Sequence, residues 1–217
     1  MTDSITINAH SSIRLDLGEV LYFDPFHIEK ATKDGDILFF THDHYDHLSP
    51  EDVEKVAKDN TVFVTPLSVL EETVEKLGVS EDRVFGMRAG ETMEIQGIKI
   101  EAVAAYNLEG RKQFHPFEKQ YLGYIVEQNG VRYYVAGDSD ATEEAKSVKC
   151  NVALIPIGGT YTMTWEDAVD LIEAIKPDYV VPTHYGDIVG TVEDASSFAK
   201  ELATRVPDTR VVLKIEP

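Results

Sequence analysis

Two short runs of apolar residues, at positions 37–40 and 152–157, constrain the fold more than any other feature of the sequence. A helix needs roughly 20 apolar residues to cross a bilayer, and both runs are far shorter. Short uninterrupted apolar runs that are bounded by polar residues are typical of strands in a buried sheet. The two runs therefore predict buried β-strands and give no support for a membrane protein.

Further strand-like segments surround these runs. Apolar segments at residues 5–7, 13–17 and 20–23 open the chain, with turn residues between them. Asn129-Gly130 is the pair that a tight β-hairpin favours. A last strand is predicted over residues 211–215.

Helix starts are marked by capping patterns. Ser49 is followed by Pro50 and by an acid at Asp52, which together predict a helix N-terminus. Thr164 can cap a second helix, which carries one apolar stripe. Because strands and helices occur in both halves of the chain, the sequence predicts an α/β fold of four layers, with two facing mixed β-sheets flanked by helices.

Length and cysteine content limit the organisation of the chain. A chain of 217 residues is typical of one domain, so we expect a single domain over residues 1–217. The first residues show neither a basic nor an apolar leader pattern, and we expect a cytoplasmic location. Cys150 is the only cysteine, which excludes an internal disulfide and a cysteine-rich zinc site. We expect it to act as a small buried hydrophobe.

The charge balance argues against some partners. The formal net charge of −19 arises from 39 acidic and 20 basic residues, without a cluster of Lys and Arg. A nucleic-acid partner would need such cations along its phosphates. We therefore expect neither nucleic acid nor a membrane as partner, while a homo-oligomer remains compatible with the sequence.

The most informative stretch follows the first apolar run, where residues 42–47 read His-Asp-His-Tyr-Asp-His. In an extended or turning segment, residues two apart point the same way, so His42 and His44 can converge on one ion while Asp46 and His47 turn toward a second. Imidazole and carboxylate are ligands that Zn²⁺ accepts, and Mn²⁺ or Fe²⁺ also fit. A lone histidine here would favour an exposed loop residue or a helix cap, but the whole pattern favours a metal site.

Other polar segments stand in a fixed order along the chain: His10-Ser11-Ser12, Asp24-Pro25, Gly137-Asp138-Ser139, Pro156-Ile157-Gly158-Gly159 and Pro182-Thr183-His184-Tyr185. Together with residues 42–47, they resemble the metallo-β-lactamase superfamily, and more narrowly its lactonase-like branch, which includes relatives of ascorbate-6-phosphate lactonase. The resemblance runs nearly the whole length. It implies the αββα four-layer sandwich of that superfamily, with the site at one edge between the sheets.

The resemblance also implies a ligand set for two divalent metal ions, with Zn²⁺ as the expected ion. Asp138 is expected to bridge the two ions, and His184 to complete the second site with Asp46 and His47. The first site is expected to contain His42 and His44.

The third histidine of the first site departs from the superfamily pattern. It usually closes the strand before the Gly-Asp strand, but here that strand ends with Tyr106 and Asn107. The one histidine in the interval is His115. Either its loop folds back to deliver His115 as a ligand, or the first site has fewer protein ligands.

Other residues are assigned to the surroundings of the metals. Asp24 is expected to orient a ligand histidine, since metal-bound imidazoles donate their other N–H to a carboxylate or carbonyl. His10 is expected to contact substrate or to fix a loop, and Tyr161 to line the substrate cleft or simply to pack. Asp46 is the expected catalytic residue, because its free oxygen can orient the water that the two ions activate and can take its proton.

These assignments predict a metal-dependent hydrolase that acts on a small ester, lactone or phosphoester. The alternatives are a metal-stabilised binding or scaffold protein with an idle site, and a phosphodiesterase or nuclease of the same superfamily. We expect a small anionic substrate, because Arg111, Lys112 and Lys119 flank His115 and could clamp a phosphate or carboxylate. A solvated charged loop is the competing interpretation of these three residues.

Overall fold

The computed structural model describes residues 1–111 and 113–215. Within these residues the first sheet has six strands, in the order β1 (Ile5–Ala9), β2 (Ser12–Asp16), β3 (Val20–Phe23), β4 (Gly35–Phe39), β5 (Ala57–Pro66) and β6 (Val84–Met87). The second sheet has seven strands there, numbered along the chain as β7 (Thr92–Ile95), β8 (Ile98–Ala104), β9 (Leu122–Gln128), β10 (Val131–Val135), β11 (Val152–Pro156), β12 (Tyr179–Thr183) and β13 (Arg210–Val211). They lie side by side in the same order. The helices are α1 (Pro50–Val56), α2 (Leu70–Leu77), α3 (Glu143–Lys146), α4 (Trp165–Ile175) and α5 (Val192–Arg205).

Both sheets are mixed, as the sequence predicts. In the first sheet, β1 to β3 pair antiparallel and β3 to β6 pair parallel. In the second sheet, β7 to β10 pair antiparallel and β10 to β13 pair parallel. The parallel strands of each sheet therefore end at a common edge, where the loops that follow them lie close together.

The uninterrupted apolar sequence of strand β4 is explained by packing on both of its faces. Ile37 and Phe39 belong to the core between the two sheets, which also contains buried residues of β8 to β12. Leu38 and Phe40 point the other way and pack with Val53 and other residues of the α1 and α2 region. Because both faces of the strand are covered, it cannot alternate apolar and polar residues. A third core joins the second sheet to α3, α4 and α5, which completes the four layers.

The local signals in the sequence are confirmed. The Ser49 side chain accepts a hydrogen bond from the Asp52 amide, and Thr164 forms a reciprocal capping box at the start of α4. Asn129 and Gly130 both adopt positive φ, at 53° and 77°, as a tight hairpin turn requires.

The last strand is shorter than predicted, since β13 covers residues 210–211, whereas the sequence predicted a strand over residues 211–215. The Val212 amide adds one further hydrogen bond to the Val180 carbonyl. The next bond of a parallel ladder would come from the amide of residue 182, which is Pro182 and has no N–H. The ladder therefore ends there. Among the described residues, none of the helices combines the length and apolar character that a bilayer crossing demands.

Candidate metal centre

The His-Asp-His-Tyr-Asp-His segment turns tightly between β4 and α1. The amides of His47 and Leu48 both donate to the His44 carbonyl, over 3.0 and 2.8 Å. Asp24 fixes the start of the turn, since its carboxylate accepts from the backbone and the hydroxyl of Thr41, over 2.8 and 2.7 Å. The turn thus leaves the end of β4 in one defined direction.

A first group of ligand atoms joins this turn to the loop that follows β8. His42 Nε2 lies 3.1 Å from His44 Nδ1, which lies 3.2 Å from His115 Nε2. His42 and His115 are buried, whereas His44 is half-buried. The loop after β8 therefore folds back and places the His115 imidazole beside His42 and His44. Tyr106 and Asn107, where the superfamily pattern expects a histidine, have no imidazole to offer.

A second group gathers Asp46, His47 and His184 with His10, and their ligand atoms all lie within 4.8 Å of one another. Asp46 Oδ2 is 3.4 Å from His10 Nε2 and 3.6 Å from His47 Nε2. The sequence interpretation placed His10 beside the substrate or in a loop contact. Its position among these atoms makes it a candidate ligand as well.

Asp138 stands between the two groups. Its Oδ1 lies 3.4 Å from His47 Nε2, and its Oδ2 lies 3.0 Å from His184 Nε2 and 3.6 Å from His115 Nε2. One carboxylate thus reaches nitrogens of both groups. This is the position that a bridging ligand would need.

Several buried atoms of the centre make no hydrogen bond of acceptable geometry in the described protein, although His184 Nε2 and Asp138 Oδ2 lie 3.0 Å apart. The buried atoms without such a bond are both ring nitrogens of His10 and of His184, together with His47 Nε2 and Asp138 Oδ1. A buried polar atom without a partner is costly, and such atoms rarely converge by accident. Cations among these atoms would satisfy His10 Nε2, His47 Nε2, His184 Nε2 and Asp138 Oδ1, so the residues present fit a metal site.

The electrostatics of the centre favour a cation. Burial opposes protonation of His47, but the carboxylates of Asp138 and Asp24 outweigh it and hold the His47 pKa well above its ordinary value. Burial lowers the pKa of His42 well below its ordinary value, which keeps that imidazole neutral. Burial also lowers the pKa of His115 to about 4. His42 and His115 are thus neutral and Asp138 is negative, which are the forms that metals bind, while the raised pKa of His47 shows that its carboxylate neighbours favour a positive charge at that position.

The outer nitrogens of two candidate ligands, His42 and His47, are held by other residues. His47 Nδ1 contacts Asp24 Oδ2 at 2.8 Å, and His42 Nδ1 contacts Thr41 Oγ1 at 2.9 Å. The structure thus places Asp24 where an orienting carboxylate belongs. Thr41 was not singled out from the sequence, and its one signal is its place immediately before the motif.

The comparisons with known proteins agree with this geometry. A model of the Beta-lactamase superfamily domain matches residues 4–185. The chain belongs to the β-lactamase superfamily. A UPF0173 metal-dependent hydrolase from Thermoplasma acidophilum is 30% identical over 190 residues, which cover 83% of this chain and 79% of that protein. One from Methanopyrus kandleri is 29% identical over 227 residues, which cover 98% and 96% of the two chains.

A solved structure from Parabacteroides distasonis, provisionally described as a metal-dependent hydrolase, is also similar. Its TM-score is 0.81 at 30% identity, and the match covers 98% of this chain and 93% of that chain. The chain is thus a member of the UPF0173 metal-dependent hydrolase family within the superfamily.

Two glycines of this family member let backbone approach the centre. A Cβ at Gly137, whose φ is 65°, would lie 2.9 Å from Thr41 Cβ. A Cβ at Gly158 would lie 2.3 Å from the carbonyl oxygen of His184. Gly137 and Gly158 are therefore required by close packing against the two segments that carry candidate ligands.

Tyr161 contributes its backbone as well as its ring. Its carbonyl oxygen lies 3.2 Å from His115 Nδ1 and accepts from Asn107 Nδ2 over 2.9 Å. The half-buried ring packs edge-on to Phe114 and lines a cleft of about 470 Å³ beside the centre. The structure thus brings Tyr161 next to a candidate ligand, and its contact with substrate stays a prediction.

The expectation for Arg111 is corrected. Its guanidinium donates to both carboxylate oxygens of Asp167, over 2.7 and 2.9 Å, and lies 3.4 Å from Asp140 Oδ1. Since two carboxylates already neutralise this cation, it is not free to clamp a substrate anion. Lys112 lies outside the described residues, and Lys119 is exposed.

Proposed function

We propose that this metal-dependent hydrolase binds two divalent ions side by side, with Asp138 between them. The observation that carries the proposal is the convergence of two groups of ligand atoms on Asp138, of which the second contains buried nitrogens without a hydrogen-bond partner. The expected separation of such ions is about 3.5–4 Å, which suits two ligand groups that share one carboxylate.

The ligand sets follow from the two groups. The first ion would be held by His42, His44 and His115, and the second by Asp46, His47 and His184, with His10 Nε2 within reach of the second. A set of imidazoles and carboxylates without thiolate suits Zn²⁺ first, while Mn²⁺ and Fe²⁺ remain compatible.

We propose Asp46 as the catalytic residue. When bound, the ions supply Lewis acidity and lower the pKa of water toward neutrality. Burial raises the pKa of Asp46, but the neighbouring His10 imidazole and the charge of His47 outweigh it, so the pKa lies below its ordinary value. The side chain is 14% exposed, whereas that of His10 is fully buried. Asp46 is therefore a carboxylate that reaches the open side of the centre, where it can orient water and accept its proton.

The proposed substrate is a small ester, lactone or phosphoester, and the resemblance to the lactonase-like branch supports the lactone within this group. We keep the small anionic molecule as the preferred form, because the ions would be a local positive charge in a chain of net charge −19. With Arg111 paired to Asp167, the ions themselves rather than that arginine would attract the anion.

The test combines metal analysis with an activity screen. Metal-supplemented protein should contain close to two transition-metal ions per chain, and it should hydrolyse members of a panel of lactones, acyl esters and phosphodiesters. His184→Ala should lose metal at the second site. The matched control is His27→Ala, because His27 is an exposed histidine outside both ligand groups.

Two results would refute the proposal. A stoichiometry near zero in the unmodified protein would remove the two-ion centre. Efficient cleavage of structured RNA, with no turnover of any small molecule, would point to a nuclease instead.

A further inference from the structure

The loop from Asn107 to His115 is closed at its base by hydrogen bonds to Asn107, whose side chain is buried. Asn107 is 4% exposed, and it stands where the superfamily pattern would place a histidine. The Asn107 amide donates to the His115 carbonyl over 2.8 Å, and the His115 amide donates to Asn107 Oδ1 over 2.8 Å. These two bonds close the loop between the two residues at its base.

The carboxamide of Asn107 also contacts the imidazole itself. Asn107 Oδ1 lies 3.3 Å from His115 Nδ1, while the Tyr161 carbonyl oxygen lies 3.2 Å from the same nitrogen. Both neighbours are acceptors, so Nδ1 must carry the proton. His115 Nε2 is then left with its lone pair directed toward His44 and Asp138.

The other end of the carboxamide anchors this arrangement to the second sheet. Asn107 Nδ2 donates to the Tyr161 carbonyl oxygen over 2.9 Å, in the loop that follows β11. All polar atoms of the side chain are thus engaged, and each contact bears on the position or the tautomer of His115. A residue that only closed a loop would need the backbone contacts alone.

We propose that Asn107 is the positioning residue of the first metal site, where it sets the location and the tautomer of His115. This inference rests on the two-ion centre of the proposed function. Residues that hold the outer nitrogen of a metal-bound histidine typically contribute 10–100-fold to metal affinity.

The experiment measures the two metal affinities separately, by titrating the metal-free protein with Co²⁺ and Zn²⁺ against a chelator. Asn107→Ala should weaken the first site about 10–100-fold and leave the second site unchanged. Asn107→Asp keeps an oxygen that can accept from His115, so it should retain more first-site affinity than Asn107→Ala. If Asn107→Ala does not fold, the first-site affinity of Asn107→Asp is compared with that of the unmodified protein instead.

A double-mutant cycle separates positioning from general structure. His115→Ala removes the ligand, so adding Asn107→Ala to it should weaken the first site no further. The matched control is Asn151→Ala. The Asn151 side chain also accepts a hydrogen bond from a backbone amide, that of Arg132, and donates one to the Asp178 carboxylate, but it stands at the amino end of β11, the opposite end from the centre. That variant should keep both metal affinities.

The outcomes distinguish the two proposals. If the unmodified protein binds fewer than two ions, the two-ion centre fails. If it binds two ions and Asn107→Ala binds both with unchanged affinity, or if the two substitutions weaken the first site additively, the role of Asn107 is refuted while the centre stands.

Discussion

Replacement of Gly158 by alanine tests whether close packing of the backbone positions His184 in the proposed second metal site. A Cβ there would lie 2.3 Å from the His184 carbonyl oxygen and 2.7 Å from Val189 Cγ2, while ordinary contacts begin at 3.4 Å. His184 must therefore retreat by about 1 Å, and overpacking of this kind costs about 1–3 kcal/mol of folding free energy. Metal–ligand distances tolerate only about 0.2 Å, so affinity at the second site should fall at least tenfold.

The neighbouring glycine provides the control for this prediction. Gly159 has a φ of 78°, and a Cβ there would come no closer than 3.6 Å to Thr164. Gly159→Ala should therefore cost about 1–2 kcal/mol through backbone strain alone and leave His184 in place. Urea denaturation gives the stabilities, and chelator competition gives the metal affinities. Wild-type affinity at the second site in Gly158→Ala, or equal losses of affinity in both variants, would refute the reasoning.

Three further predictions concern other positions. Asp46→Asn should reduce turnover by about a hundredfold or more, a larger loss than the weakening of metal binding, because the other ligands remain. Near-normal kcat at full metal occupancy would contradict the role of Asp46. Burial raises the pKa of Asp52, but hydrogen bonds from Lys55, Ser49 and the Ile28 amide outweigh it, so the folded pKa is depressed. The stability that the ionised Asp52 contributes is therefore present above the unfolded pKa of about 3.9 and is lost as pH falls through the folded value. Asp52→Asn should destabilise the protein at neutral pH but not in strong acid, which urea denaturation at both pH values would show. Burial raises the pKa of Cys150 to about 12, so a thiol reagent at pH 8 should modify it slowly in the native protein and fast in urea; equal rates would contradict this.

The parts of the structure that were predicted from the sequence depend on neighbouring residues. Helix caps and tight turns form between residues no more than four positions apart, so the sequence alone shows every residue involved. This applies to the caps at Ser49 and Thr164 and to the turn at Asn129-Gly130. The continuous apolar runs likewise predicted strands covered on both faces. The metal motif at residues 42–47 was recognisable because its ligands are close in the chain.

The remaining features depend on contacts between distant segments. The shortening of β13 follows from Pro182 on a neighbouring strand, and the pairing of Arg111 with Asp167 joins residues 56 positions apart. His10 reaches the second group because its carbonyl accepts from the His184 amide across the sheets. No local pattern predicts such contacts, although the absence of a histidine at Asn107 did mark the place where the loop departs from the superfamily.

The centre draws its residues from both halves of the sandwich. His10, the motif after β4 and Asp24 extend from the first sheet, whereas His115, Asp138 and His184 extend from the second. Bound ions would therefore act as a cross-link that fastens the two sheets at one edge, and the folding equilibrium would depend on the concentration of free metal. At a thousand times the dissociation constant, one such ion adds about 4 kcal/mol to the free energy of unfolding. Loss of metal and separation of the two sheets are then coupled events. Metal depletion would shorten the lifetime of the folded protein as well as abolish its activity.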